Sequence, residues 1–139
     1  MKTMKPHYIL FIFSVLLFTS CSNTVEFPVS DIIPAAEAKA VVKKDNNENY
    51  QIKLEIDNLT EPDRLNPPKK YYVFWAETEH GSQNLGQIKV KEAMLSSKKY
   101  AELETSTPHK PLRLVISAED EVDKASPGTF TVLEANVEY

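Results

Sequence analysis

Apolar and polar residues alternate along most of the chain from Ala36 onward. The alternation is clearest in YQIKLEID, Tyr50–Asp57, where every second residue is apolar and its neighbours are charged or carry an amide. A period of two is that of a β-strand with one face buried. The same period, interrupted by turn residues, predicts further strands within residues 36–44, 85–94, 112–118 and 129–139.

The segment YYVFWAET, Tyr71–Thr78, is apolar on both sides of the alternation. Such a strand suits the middle of a sheet that is packed on one side and partly covered on the other. One of its two aromatic sets must belong to the core. We expect Trp75 to lie in the core, which leaves Tyr72 and Phe74 as a candidate exposed face for a sugar or a peptide.

The pattern as a whole predicts an all-β protein. About seven strands are separated by turn signals, which is typical of an antiparallel β-sandwich of immunoglobulin-like architecture. A small antiparallel barrel is the alternative. The stretch Ala93–Leu103 fits either a short helix or an edge strand, because several of its residues are good helix formers.

The predicted core consists of the residues on the apolar sides of the strands. These residues are Ile52, Leu54, Ile56, Trp75, Ile88, Val90, Leu112, Leu114, Ile116 and Val132. The single cysteine of the chain excludes an intramolecular disulfide. Packing alone must therefore hold the two predicted sheets together.

The N-terminal segment has the layout of a signal peptide. Lys2 and Lys5 precede the apolar run Tyr8–Phe18, whose 11 residues include Ser14 as the one polar position. The run is short for a bilayer span of about 20 residues, although an uncleaved signal anchor is the alternative. We expect residues 1–20 to be a signal peptide, residues 21–34 a lipidated cysteine and tether, and residues 35–139 the β-sandwich domain.

The sequence Phe18-Thr19-Ser20-Cys21 resembles the lipobox of bacterial lipoproteins. The resemblance implies that Cys21 becomes the first mature residue and carries acyl chains, of which two or more anchor a protein stably. Ser22 follows in place of Asp, and no acidic run comes after it, which resembles the pattern of lipoproteins sorted to the outer membrane. We therefore expect an envelope protein on the outer membrane, facing the periplasm.

The charge of the chain excludes some partners. The formal net charge is −4, so no basic field indicates nucleic acid. Cleavage before Cys21 would leave 139 − 20 = 119 residues and, without Lys2 and Lys5, a net charge of −4 − 2 = −6. Anionic lipid repels such a surface, so we expect the domain to stand off the membrane and to be held by its anchor alone.

Two histidines in turn segments are the main candidates for chemistry. His80 precedes Gly81, and His109 lies in a proline-flanked turn. We expect both to be solvated loop residues. A two-histidine metal site would need the loops to meet, and a small hydrolase would need one imidazole in a cleft with a carboxylate behind it.

The run EDEVD concentrates four carboxylates in one polar turn. Oxygen-rich loops can bind Ca²⁺, but this run lacks the spacing of an EF-hand and its turn glycine. We expect a solvated hairpin tip and no metal, and keep Ca²⁺ as the weaker alternative. The residues concerned are Glu119, Asp120, Glu121 and Asp123.

Two segments resemble the extracytoplasmic domain of anti-sigma-K-type factors. In YYVFWAETEHGSQNLGQIKV an aromatic strand is followed by a glycine turn and a Leu-Gly pair, and PLRLVISAEDEVDKASPGTFTVL resembles the last hairpin of that domain. The matching positions are Trp75, Gly81, Leu85, Gly86, Ala118, Glu119, Pro127 and Gly128. Those regulators carry a sigma-binding domain and a membrane helix before this domain. In this chain the lipobox-like segment takes the place of both. The resemblance therefore implies a shared β-sandwich and a stand-alone module, without sigma-factor inhibition.

These observations predict a lipid-anchored, non-enzymatic interaction or sensing module of the bacterial envelope. Its expected partners are the membrane, through Cys21, and a protein that the sequence does not identify. No cofactor is expected. The alternative is a carbohydrate- or peptide-binding accessory lipoprotein of an outer-membrane uptake system, which would use the aromatic face of Tyr72 and Phe74.

Overall fold

The computed structural model describes residues 21–139, and the predicted signal peptide of residues 1–20 lies outside them. Nine strands form two antiparallel sheets that pack face to face. The strands are β1 Ser22–Glu26, β2 Glu37–Lys44, β3 Tyr50–Asp57, β4 Tyr71–Thr78, β5 Gly81–Ile88, β6 Lys91–Glu92, β7 Lys99–Thr107, β8 Arg113–Glu119 and β9 Thr131–Asn136. Within this part of the chain, no helix is long and apolar enough to cross a bilayer.

The strand order is that of an immunoglobulin-like sandwich. One sheet has the order β1-β2-β3-β7-β6 and the other the order β5-β4-β8-β9. With β2, β3, β7 and β6 as strands A, B, E and D, and with β5, β4, β8 and β9 as C′, C, F and G, the arrangement matches the immunoglobulin order. The predicted sandwich is confirmed, with nine strands in place of about seven. The additional strands are β1 and the two-residue β6.

The segment predicted to be a tether is part of the sandwich, so that prediction is wrong. Strand β1 pairs with β2 along its full length, from Ser22 opposite Lys43 to Glu26 opposite Lys39. After β1 the chain crosses to the other sheet, where the buried Ser30 hydroxyl donates to the carbonyl of Val132 at 2.6 Å. The strand escaped prediction because five residues followed by two prolines show too little alternation.

The stretch Ala93–Leu103, for which a helix and an edge strand were both expected alternatives, forms a turn followed by a strand. Residues from Lys99 belong to β7, which pairs with β3 in the middle of its sheet, and no part of the stretch is helical. Before it, Ala93 to Lys98 form the turn of the short β6–β7 hairpin, closed by the Ala93 amide donating to the Lys98 carbonyl at 2.9 Å. Helix propensity is a weak preference, and sheet pairing overrides it here.

The proline-rich segment after β3 is the predicted loop between the two sheets. It contains a single 3₁₀ turn at Pro62–Arg64. Leu59 and Leu65 are buried within the loop, and the Tyr72 hydroxyl donates to the carbonyl of Thr60 at 2.9 Å. These contacts fix the crossover against the edge of the core.

The inter-sheet core contains most of the residues predicted for it. Ile52, Leu54 and Ile56 of β3 face Leu114 and Ile116 of β8, together with Ile88 and Val132. Val90 lies only at the margin of this cluster. The prediction is wrong for Leu112, which is 42% exposed because it precedes β8 and lies in the loop before it.

The face of β4 that packs against the other sheet is the one that carries Tyr72 and Phe74, and not the expected face that carries Trp75. Tyr72 and Phe74 are fully buried between the sheets, so they form no exposed binding face. Trp75 is also fully buried, but on the outer side of its sheet, in a second cluster with Val73 and Val115. Alternation separates the two sets of side chains without showing which set meets the other sheet.

Two leucines two residues apart test this core assignment. Leu114→Ala should lower the free energy of unfolding by about 2–5 kcal/mol, because the side chain is fully buried between the sheets. Leu112→Ala, the same change at a half-exposed position, should cost less than half as much. Denaturant titration of both variants gives the comparison. Equal losses would contradict the strand boundary at Arg113.

Candidate functional site

Cys21 lies at one end of the sandwich with its thiol exposed. The next residue, Ser22, already pairs with Lys43 near the end of β2. Cys21 is therefore next to the β2–β3 turn, and no free chain separates it from the folded domain. We call this end of the sandwich the Cys21 end.

A cluster of two tyrosines and two lysines lies at the Cys21 end. The rings of Tyr50 and Tyr139 meet edge to face, with 6.5 Å between their centroids. The ammonium of Lys110 is 3.9 Å from the centroid of the Tyr139 ring, and that of Lys44 is 5.8 Å from the centroid of Tyr50. Cation–π contacts of this kind stabilise by about 0.5–1 kcal/mol at exposed sites. We call these four residues the tyrosine–lysine cluster.

Sequence reasoning missed the tyrosine–lysine cluster. Lys44 is the last residue of β2 and Tyr50 the first of β3, whereas Lys110 lies in the β7–β8 loop and Tyr139 follows β9. The Tyr139 hydroxyl donates to the carbonyl of Pro111 at 2.7 Å, which holds the segment after β9 against the β7–β8 loop. No local pattern relates these segments, because only the sheet register brings them together.

The two histidines within residues 21–139 meet at the same end. The rings of His80 and His109 have centroids 4.3 Å apart and are inclined by 44°. Within residues 21–139, neither imidazole hydrogen bonds to a carboxylate, and no group of three or more His, Cys, Asp or Glu residues is placed to hold a metal ion. The loops meet as a two-histidine site would require, and within residues 21–139 no third His, Cys, Asp or Glu joins the pair in a metal-holding group.

Within residues 21–139, no three of the EDEVD carboxylates lie together in a group placed to hold a metal ion. Glu119 is buried and points across the outer face of its sheet, where its carboxylate pairs with Lys124 at 2.8 Å. Asp120 turns away and pairs with Lys69 at 3.2 Å. The expectation of a solvated turn is wrong for Glu119, which is the only buried charged residue within residues 21–139.

Glu119 is the centre of a hydrogen-bond network that fixes the β8–β9 loop, residues 120–130. Its Oε1 accepts from the Ser117 hydroxyl at 2.7 Å and from the Gly128 amide at 2.6 Å. The Ser117 oxygen in turn accepts from the Trp75 indole at 2.8 Å. A side chain at residue 128 would place its Cβ 2.8 Å from Glu119 Oε2, so the absence of a side chain there allows the loop to approach.

Strand β5 holds the same loop from the other side through a bulge. The register of β4 and β5 shifts so that Phe74 is opposite Gly86 and Trp75 is opposite Asn84. Gly86 has a φ of +120°, which is readily accessible only to glycine. The bulge directs the Asn84 amide to the carbonyls of Val122 at 2.8 Å and Lys124 at 3.1 Å.

The environment of Glu119 explains its protonation. Burial by itself raises the pKa of a carboxyl group, but the Lys124 ammonium, the Gly128 amide and the Ser117 hydroxyl outweigh it and hold the pKa of Glu119 below its ordinary value. The group is therefore a buried carboxylate at neutral pH. Ser117 is fully buried beside it, so this serine is not accessible to a substrate.

The end of the sandwich opposite Cys21 presents an apolar hairpin tip. Met94 and Leu95, in the β6–β7 turn, are 100% and 101% exposed. Lys89 and Lys91 beside them are exposed as well. Two adjacent large apolar side chains that are fully exposed to water often mark a surface that a binding partner covers. We call Met94 and Leu95 the apolar tip.

An open groove of about 590 Å³ lies on the outer side of the larger sheet, beside the segment that follows β1. Its lining includes Phe27, Val29 and Tyr100 together with several carboxylates. Lys39 and Glu55 pair across it at 3.2 Å. The charges are those of a solvated sheet face, and they do not assemble a nucleophile with a base.

No protein-family model, curated protein or solved structure gives a significant match to this chain. The resemblance to the extracytoplasmic domain of anti-sigma-K-type factors therefore stays a prediction. Two of the residues that carry the resemblance are glycines that this structure requires. Gly86 allows the bulge in β5, and Gly128 allows the β8–β9 loop to approach Glu119.

Acid should remove the contribution of Glu119 to stability. Its pKa is lowered in the folded state, so the contribution is complete above the ordinary value of 4.5 and is lost as the pH falls through the folded-state pKa. At pH 7, Glu119→Gln should lower the free energy of unfolding by about 1.5–3 kcal/mol, the range for hydrogen bonds to a charged group. The difference between wild type and variant should shrink below pH 4.5.

Glu121→Gln is the matched control, because Glu121 is an exposed carboxylate of the same loop. It should change stability by no more than about 0.5 kcal/mol at any of these pH values. Denaturant titration from pH 7 to pH 3 measures both variants. A pH-independent loss in Glu119→Gln would show that packing of the side chain, and not its charge, stabilises the loop.

The apolar tip should be dispensable for folding. A double variant with Met94→Ser and Leu95→Ser should unfold within about 0.5 kcal/mol of wild type, since neither side chain is buried. Thermal and denaturant unfolding provide the measurement. A loss above about 1.5 kcal/mol would mean that the tip packs on the domain and is not a free surface.

Proposed function

We propose that this protein is a lipid-anchored, non-enzymatic interaction module of the bacterial envelope. The observation that carries the proposal is the position of Cys21, an exposed thiol that directly precedes the first strand and follows an apolar segment of signal-peptide type. Acyl chains at this position would extend from one end of the sandwich without displacing any core residue. The proposed location is the outer membrane, on the periplasmic side.

The non-enzymatic part of the proposal is supported by what the candidate catalytic groups contact. The His80 and His109 rings contact each other in a tilted arrangement, and within residues 21–139 neither hydrogen bonds to a carboxylate. Ser117 is sealed beneath the β8–β9 loop. Nucleophilic catalysis needs an accessible nucleophile that is oriented toward a base, and none of these side chains meets both conditions.

The interaction part of the proposal is supported by the apolar tip. Met94 and Leu95 are at the opposite end of β7 from Cys21, so an anchored domain would hold them away from its own lipid. Their exposure is unfavourable in water, and a protein that covers them would gain about 25 cal/mol for each Å² of apolar surface buried. A protein partner thus suits the tip better than a small polar ligand.

The carbohydrate- or peptide-binding alternative depended on an exposed face of Tyr72 and Phe74. Both rings are fully buried between the sheets, so that support is lost.

Fatty-acid labelling tests the anchor. In a bacterial host, the wild-type protein should incorporate labelled fatty acid and partition with membranes. Cys21→Ser should lose the label, because the chain contains no other thiol that could carry it. Ser22→Ala is the control and should keep both properties, since it leaves the thiol in place. Unchanged labelling of Cys21→Ser would make the proposed lipidation site wrong.

A further inference from the structure

We propose that the anchored protein sits end-on against its bilayer, with the tyrosine–lysine cluster in the headgroup region and the apolar tip pointing away. This inference rests on the proposed attachment of lipid at Cys21. It differs from the expectation that the negatively charged domain stands off the membrane.

The first argument is the absence of slack between the lipid attachment point and the domain. Consecutive Cα atoms are about 3.8 Å apart, and the residue after Cys21 is already paired in the sheet. The pairing continues to Glu26 opposite Lys39, and Val25 is buried in the core, so β1 is not a loose leader. Lipid at Cys21 would therefore hold the Cys21 end within a few ångströms of the headgroups.

The second argument is the chemistry of that end. Tyrosine rings with polar tips and lysines with long apolar stems are side chains that suit a membrane–water interface. Tyr139 is 56% exposed although its ring contacts both Tyr50 and Lys110. An aromatic group this exposed at the same end of the sandwich as the attachment point gains from transfer to the interface.

Charge does not oppose the contact. The Cys21 end is mixed, because Lys43, Lys44 and Lys110 lie there together with the carboxylates of Asp45, Glu48, Glu79 and Glu138. The remaining carboxylates are spread over a domain whose strands are long compared with the screening length of about 10 Å at 0.1 M salt. The distal acidic residues are thus screened from the bilayer, and the contact needs no anionic lipid.

End-on seating determines what the protein presents to its surroundings. Strand β3 has eight residues and runs from the Cys21 end to the opposite end, which corresponds to roughly 25 Å at about 3.4 Å per residue. The apolar tip and the β8–β9 loop would lie at that distance from the lipid. The His80–His109 pair, in contrast, would face the headgroups.

The single cysteine allows a direct test. The chain from Cys21 to Tyr139, which holds all nine described strands, is coupled through its thiol to a maleimide lipid in phosphatidylcholine vesicles. Lysine acetylation is then followed by mass spectrometry, with the uncoupled protein beside the same vesicles as reference. Lys44 and Lys110 report on the Cys21 end, and Lys89 and Lys91 are matched exposed lysines at the other end.

The expected result is acetylation at least threefold slower at Lys44 and Lys110 after coupling, with little change at Lys89 and Lys91. Insertion of twelve Gly and Ser residues between Cys21 and Ser22 should restore the rates by adding a flexible tether. Equal rates before and after coupling, equal slowing at both ends, or protection that survives the insertion would each overturn the proposal. Because the lipid is attached chemically, these outcomes are independent of whether cells acylate Cys21.

Discussion

Two central strands, β4 and β8, are buried on both faces, and the rest of the structure is arranged to cover them. The larger sheet covers the inner face through apolar packing. The outer face carries Val73, Trp75 and Val115, and it is covered by the loop of residues 120–130. That loop is rich in charge and cannot be held by apolar burial alone. The carboxylate of Glu119 holds it instead.

A buried carboxylate is costly unless its oxygens are paired, because transfer out of water costs several kcal/mol for an ion. Glu119 meets this condition with three donors from three separate positions, Ser117, Lys124 and Gly128. The same contacts fix the loop of residues 120–130 in place. The buried carboxylate therefore needs the loop, and the loop needs the carboxylate. Loss of either would expose the Trp75 face to water.

The arrangement differs from an antibody domain in the place of its tryptophan. There, the tryptophan of strand C packs against a cystine between the sheets. The only cysteine of this chain is Cys21, which precedes the first strand, so no cystine can lie between the sheets. Tyr72 and Phe74 fill the space between them instead. Trp75 is on the opposite side of the same strand and seals the outer loop. One strand thus supplies the large side chains for two separate clusters.

Local alternation in the sequence determined where the long strands lie, because the two-residue period depends only on backbone geometry. It therefore located β3 and β8 and most of their core residues, and it indicated the all-β class. It placed Leu112 wrongly, since the start of β8 depends on pairing with β4.

Only the tertiary structure decided which face of β4 meets the other sheet, that Glu119 leaves an acidic run to become buried, and that Ser22–Glu26 is a strand. Each of these depends on partners distant in sequence: Ser117 and Gly128 around Glu119, and β2 beside β1. The tyrosine–lysine cluster likewise exists only because sheet register brings three separate segments to one end, and no local pattern encodes that meeting.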